Sequence, residues 1–176
     1  MKKLLSIVIA SFLVTTPAMA ESITKDEVMK AQQAWAEGIE KISQTFIDEG
    51  DYEQAAREHI ETLYAYDIGD VLFKPTLASS DQFRENFDEA LSYFVGGVID
   101  EDKGFAIKPW TNVRFGDDVH IKTIDDYAVS MGNYFFTPQG SEQETKVEFT
   151  FGYIKDEDGN LRINVHHSSL PFTPAS

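Results

Sequence analysis

The 176-residue chain contains no cysteine. Disulfides, thiolate zinc sites, CxxC redox chemistry and cysteine nucleophiles are therefore excluded. Positive charge is scarce: 15 Lys and Arg stand against 30 Asp and Glu, a net charge of −15. So acidic a surface repels nucleic acid and anionic lipid, and neither is an expected partner. An anionic ligand would need local positive charge or oriented donors to enter such a field. Past Val14 no stretch is apolar enough to cross a bilayer. Several chemical signatures are missing as well. There is no GxxxxGK[ST] phosphate loop, no GxGxxG turn, no HExxH helix and no GxSxG elbow.

The N-terminus carries Met1-Lys2-Lys3, an apolar run from Leu4 to Val14, and Ala18-Met19-Ala20. A basic start, a short apolar core and an Ala-x-Ala site predict a secretory signal over residues 1–20. Thr15, Thr16 and Pro17 interrupt the run before it is long enough to span a membrane. Cleavage after Ala20 would leave 156 of the 176 residues and, with Lys2 and Lys3 gone, a charge of −17 in place of −15. That length suits one domain, residues 21–176, with one good core. Export, with a bacterial periplasm as destination, is the expectation.

Thr24-Lys25-Asp26-Glu27 reads as a capping box. Val28, Ala31, Trp35, Ile39, Ile42 and Phe46 follow at helical spacing until Gly50. Asp51 opens a second helix with Ala55, Ala56, Ile60, Leu63 and Tyr64 inside, and His59 on or beside that face as a hydrogen-bonded packing residue. Val71–Thr76 is a short strand stopped by Pro75. Ser79, Ser80 and Asp81 cap a third helix bearing Phe83, Phe87, Ala90, Leu91 and Phe94. The remainder reads as strands: Phe105–Phe115, with Pro109 marking an edge or bulge, then His120–Asp125, Tyr127–Thr137, Lys146–Lys155 and Leu161–Pro171. The Asp156–Asn160 turn joins the last two; it lacks the closing Glu of a calcium loop. Helices gathered in the N-terminal half and strands in the C-terminal half predict an α+β fold, three helices packed on the concave face of a curved antiparallel sheet.

The last strand holds His166, His167, Ser168 and Ser169. Leu161, Ile163 and Val165 alternate as its apolar face. If the pleat continues, His167 and Ser169 point inward and His166 and Ser168 outward. A bulge at His166–His167 would turn Ser168 inward in place of Ser169. Adjacent strand histidines diverge, and His59 and His120 would both have to reach one face to complete a metal triad, so no metal site is expected. A small polar group remains, Thr76, Tyr93, His167 and Ser169. Its hydroxyls and imidazole suit water positioning and proton handling. Composition and spacing alone favour the simpler reading, in which these groups satisfy one another in the core.

Several segments together resemble the iota-class carbonic anhydrases and the related association domain of calcium/calmodulin-dependent kinase II, within the nuclear transport factor 2-like (NTF2-like) superfamily. They are Val71–Thr76, Ala90–Gly97, Glu101–Trp110, Met131–Phe136, Thr150–Tyr153 and His166–Pro171. The resemblance implies a cone-shaped NTF2-like fold and reversible hydration of carbon dioxide to bicarbonate. It implies no required cofactor, with manganese or zinc as the alternative. It implies Thr76, Tyr93 and Ser169 in the bicarbonate pocket, His167 as proton acceptor or relay, and Ser168 and His166 beside the substrate. The family's terminal motif often begins with a third histidine, where this chain has Val165. The superfamily also contains non-catalytic binding and assembly modules. Either reading allows a homodimer through the outer sheet face, for which Tyr134, Phe136, Phe149 and Phe151 are the candidate contacts.

Overall fold

A computed structural model describes residues 22–174, so the expected signal segment lies outside the described residues. Helix α1 runs Lys25–Ile47, α2 Tyr52–Leu63 and α3 Phe87–Val95. Strands are β1 Leu72–Lys74, β2 Trp110–Phe115, β3 His120–Ile124, β4 Tyr127–Pro138, β5 Thr145–Lys155 and β6 Leu161–Ser169. The expected capping box forms: Thr24 Oγ1 accepts from the Glu27 N–H at 3.2 Å, and the Glu27 carboxylate accepts from the Thr24 N–H at 2.7 Å. Glu27 also pairs with Lys155 at 2.8 Å, which pins the start of α1 to β5. Asp51 caps α2 by accepting from the Gln54 N–H. No basic residue occupies the last turn of α2. Arg162 of β6 fills that role, donating to the Glu61 and Tyr64 carbonyls at 2.6 Å each.

The sheet order is β1-β6-β5-β4-β2, with β3 on the same edge of β4 further along. It is mixed, not purely antiparallel as expected: β1 runs parallel to β6. The backbone leaving α2 already lies along β6, with the Ala65 N–H donating to the Ile163 carbonyl at 3.0 Å. The chain therefore travels in the same direction as β6 when β1 forms. The inner face carries Ala128, Ser130, Tyr134 and Phe136 of β4 and Val147, Phe149, Phe151 and Tyr153 of β5, all buried under the helices. This corrects the expected homodimer contacts. Tyr134, Phe136, Phe149 and Phe151 face the core, because the period-two pleat places them on the side that α1 covers.

Two further boundaries move. The third helix starts at Phe87, capped by Asn86, and not at Ser79–Asp81. The backbone N–H groups of Ser79, Ser80 and Asp81 all donate to the Glu101 carboxylate at 3.0–3.2 Å. Segment 79–85 thus wraps an acidic side chain and does not coil. The strand expected from Phe105 starts at Trp110, since the Phe105 and Ala106 N–H groups donate to the Tyr93 and Phe94 carbonyls at the end of α3. Gly104 makes that reversal with φ +73°. The irregularity expected at Pro109 appears as a register shift between Trp110 and Asn112 on an edge strand.

Arg84 and Asp102 form a bidentate ion pair with side chains 0% and 1% exposed. The Arg84 N–H also donates to the Phe73 carbonyl at 2.9 Å, and its guanidinium donates to the Asp81 and Phe83 carbonyls. One cation therefore ties together β1, the 79–85 segment and the acidic loop Asp100–Asp102. Removing one partner leaves the other charge buried and unpaired. Asp102→Ala is expected to lower unfolding stability by about 3–5 kcal/mol, while Arg84→Met with Asp102→Leu recovers much of that loss. Urea denaturation of the single and double variants measures both; equal losses in the two would contradict the assignment.

Candidate active site

An aromatic cavity of about 80 Å³ opens between α3, the 105–110 turn and the ends of β4–β6. Phe73, Phe94, Phe105, Trp110 and Phe136 supply most of its wall, and Leu77 and Leu170 its exposed rim. Among the described residues the polar groups facing it are Thr76, Tyr93, Tyr134, Thr145, His166 and Ser168, Lys108 is its single cationic lining residue, and no carboxylate lines it. The volume admits a few water-sized molecules, hence a triatomic substrate and its hydrate.

The inward pair on β6 is His166 and Ser168, and this reverses the expected orientation of the terminal strand. Through Ile163 the pairing runs as expected, with Ile163 opposite Tyr153 and 1% exposed. Val165, however, pairs with Gly152, the residue adjacent to Tyr153, so Asn164 is an extra residue with no partner of its own. One inserted residue inverts every later side chain. Val165 turns off the apolar face, His166 and Ser168 turn inward at 2% and 5% exposure, and His167 and Ser169 turn outward. The bulge lies two residues before the His166–His167 position where the sequence raised one.

His167 and Ser169 therefore do not line the cavity. They lie on the outer sheet face beside Glu148, which accepts from Ser169 Oγ at 3.3 Å. Thr76 and Tyr93 do reach the cavity, and Thr76 Oγ1 lies 2.8 Å from Ser168 Oγ. Tyr93 is held by stacking on Phe105 and by an edge contact with Phe73. Burial pushes the Tyr93 and Tyr134 hydroxyls well above their ordinary range, so both remain protonated hydrogen-bond donors at neutral pH.

His166 sits in an aromatic box. Phe73 stacks on it at 4.7 Å between centroids, and Phe151 meets it edge-on at 4.3 Å. Its Nδ1 lies 2.8 Å from the Tyr64 hydroxyl, which accepts from Trp35 Nε1 at 3.0 Å. Its Nε2 faces the Tyr134 hydroxyl at 3.4 Å. Burial holds the imidazole well below its ordinary pKa, with His167 and His59 adding repulsion, so it is neutral. Sequence reasoning missed Trp35, Tyr64 and Tyr134 as parts of this array. Each occupies a core position by periodicity, and only the polar tip of its ring distinguishes it from Phe. His59 packs against Trp35 and Phe94 as expected, but its Nε2 has no hydrogen-bond partner among the described residues. Burial pushes its pKa down to about 3. Gly38 makes room for it: a Cβ there would stand 2.0 Å from His59 Nδ1. Among the described residues no group of three or more His, Asp or Glu could hold a metal ion.

Residues 26–170 match the family described as metal-independent carbonic anhydrase. A metal-independent carbonic anhydrase of Nostoc sp. (strain PCC 7120) is 41% identical over 162 residues, spanning 89% of this chain and 78% of its own length. The crystal structure of a cyanobacterial iota-carbonic anhydrase complexed with bicarbonate superposes with a TM-score of 0.84 at 38% identity, covering 92% of this chain and all of that one. An NTF2-like protein of unknown function from Shewanella oneidensis MR-1 matches at TM-score 0.52 and 16% identity over 84% of this chain and 99% of that one, a likeness of fold alone.

The two buried neutral histidines make stability depend on pH. Both folded-state pKa values lie below the ordinary 6.5, so below pH 6.5 the unfolded chain binds protons that the folded one refuses. Stability is complete above about pH 6.5 and falls as pH drops, by at most about 1.4 kcal/mol per pH unit for each histidine. The carboxylate Glu27, held to about 2 mainly by its hydrogen bond with Lys155, adds to the loss only below its ordinary range. Urea unfolding at pH 7.5, 6.0 and 5.0 should show this decline, and His59→Asn should roughly halve its slope. A flat profile over that window would contradict neutral burial of the two rings.

Proposed function

The chain belongs to the metal-independent carbonic anhydrase family, and from that membership and the chemistry of the cavity we propose that it catalyses reversible hydration of carbon dioxide to bicarbonate. The observation that carries this reading is the convergence of the neutral hydroxyls of Thr76, Tyr93 and Ser168 inside an apolar aromatic cavity of matching size. The wall accepts an uncharged linear molecule without the need to desolvate an ion. A water held by the hydroxyls attacks the carbon. Its oxygen forms the new C–O bond, and a C=O electron pair moves onto the oxygen facing the donors. Donors fixed in a water-poor site stabilise that developing charge without having to reorganise. The proton lost by the water leaves to solvent through the mouth, because among the described residues no carboxylate lines the cavity and both imidazole nitrogens of His166 face hydroxyls.

His167 and Ser169 are left without a part in the reaction by their placement on the outer face. Ser168 takes the position expected for Ser169. His166 contributes as a neutral member of the hydrogen-bonded wall and not as a base. Stopped-flow hydration assays test this directly. Ser168→Ala and Tyr93→Phe are expected to lower the rate by roughly 10²–10³-fold, His167→Asn and Ser169→Ala to leave it within about twofold, and chelation to leave the wild type unchanged. Full activity in Ser168→Ala, or loss in His167→Asn, would overturn the assignment.

Export and self-association complete the proposal. The Met1–Ala20 segment supports export to a bacterial periplasm, where mass spectrometry of the mature protein should find Glu21 as its first residue. The outer sheet face presents Val129, Met131, Phe135 and Val165, with Met131 54% exposed. That apolar patch supports a homodimer in place of the buried aromatics first expected. Light scattering should give twice the chain mass, and Met131→Glu should halve it.

A further inference from the structure

Trp35, Tyr64, His166 and Tyr134 form one array that begins in the core and ends in the cavity, beside the Thr76–Ser168 pair. Its first member has only one possible role. An indole nitrogen donates and never accepts, so Trp35 Nε1–H gives its hydrogen to the Tyr64 hydroxyl at 3.0 Å. Tyr64 is 1% exposed, and among the described residues its hydroxyl has one other partner, His166 Nδ1 at 2.8 Å. If Nδ1 carried the imidazole hydrogen, the phenolic hydrogen of Tyr64 would be buried with no acceptor, at a cost of about 1–3 kcal/mol. If Nδ1 is bare, Tyr64 donates to it and every hydrogen is placed. The single imidazole hydrogen then resides on Nε2, facing the Tyr134 oxygen at 3.4 Å.

The same direction carries forward. Tyr134, accepting from His166, retains its own hydrogen, and it lines the cavity itself. Beside it Ser168 accepts from Thr76 Oγ1 at 2.8 Å and likewise retains its hydrogen. We infer that Tyr64, fixed by Trp35, is a positioning residue that sets the His166 tautomer, so that the array presents a hydrogen-bond donor and not a lone pair to the forming bicarbonate. With the opposite tautomer, His166 Nε2 would draw the Tyr134 hydrogen inward. The cavity would then face the Tyr134 lone pairs where negative charge develops.

The kinetic part of this inference rests on the carbon dioxide reading; the tautomer does not, and it is measured separately. Nitrogen-15 NMR of the histidine side chains, with His166 assigned against a His166→Asn control, should show the wild-type ring neutral and protonated on Nε2 at pH 7. In Tyr64→Phe, Nδ1 loses its donor, and the ring should become a mixture of both tautomers. Carbon dioxide hydration should then lose roughly tenfold in kcat, less than removal of a direct donor costs, with KM for carbon dioxide unchanged because the apolar wall is intact. Trp35→Phe, which removes the N–H that keeps the Tyr64 hydrogen turned toward Nδ1, should shift the tautomer the same way. A wild-type ring protonated on Nδ1 would overturn the inference with no appeal to activity. So would a Tyr64→Phe protein that keeps both the Nε2–H tautomer and full kcat. A wild type that shows the Nε2–H tautomer but hydrates no carbon dioxide would instead overturn the functional reading and leave the positioning role of Tyr64 standing.

Discussion

The site depends on one residue that pairs with nothing. A strand alternates with period two, so Asn164, inserted between Ile163 and Val165, decides which half of the terminal motif meets the cavity. The insertion has its own requirement on β5. A Cβ on Gly152 would lie 2.9 Å from both Asn164 Oδ1 and Val165 Cβ and 2.5 Å from the Tyr127 hydroxyl. Only glycine allows the bulged strand to stay so close, and the bulge is what delivers His166 to Phe151 and Ser168 to Phe149. On its N-terminal side the strand is held in phase by Arg162, bound to the end of α2, and by the contact of Ile163 with Ala65. The register is therefore fixed before the bulge and inverted after it.

The opposite wall of the cavity is set by charge. Thr76 and Leu77 lie on a segment with little regular structure, and such a segment would ordinarily place its side chains loosely. Here Glu101 gathers three successive N–H groups just beyond them, and Asp102 holds Arg84 in the interior. The acidic loop Asp100–Asp102, whose contacts were not evident from its composition, is thus a clamp, at the surface through Glu101 and in the interior through Asp102. Glu101 is held to about 2 by its Ser79, Ser80 and Asp81 partners, so it is ionised at neutral pH. A hydroxyl that must meet Ser168 at 2.8 Å gains precision from such support.

What the sequence made legible follows from how far each feature reaches along the chain. The capping box at Thr24, the stripe from Val28 to Ile42, the hairpin at Asp156–Asn160 and the edge strand after Pro109 depend on neighbours within a few residues, and all of them form. The bulge at Asn164 depends on Gly152, Tyr127 and Ala65, none of them local, and alternation alone extends straight through it. The start of α3 was misplaced for the same reason. Ser79, Ser80 and Asp81 have every local mark of a cap, but their N–H groups belong to Glu101, about twenty residues away. Thr76 and Tyr93, which the family resemblance implies for the pocket, both line the cavity, each in an unshifted segment. The resemblance placed Ser169 where Ser168 stands because motif matching counts residues and does not count pleats.

A site whose buried polar groups are neutral, and whose one cationic lining residue Lys108 is exposed, also fits the acidity of the chain. Bicarbonate formed here must leave a protein of net charge −15, and the general field favours its departure. A buried cation opposing that field would strengthen binding of the product as much as of the transition state, and uniform binding does not speed turnover. Oriented hydroxyls act over a shorter range. They strengthen as charge localises on one oxygen during attack, and they hold the delocalised anion less firmly afterwards. For that purpose the donor-only indole of Trp35 matters more than a charge would, since it fixes the direction of hydrogen bonding without adding net attraction for the product. The aromatic box around His166 contributes in the same sense: it keeps the imidazole uncharged, so the array that ends at Tyr134 carries a direction but no charge.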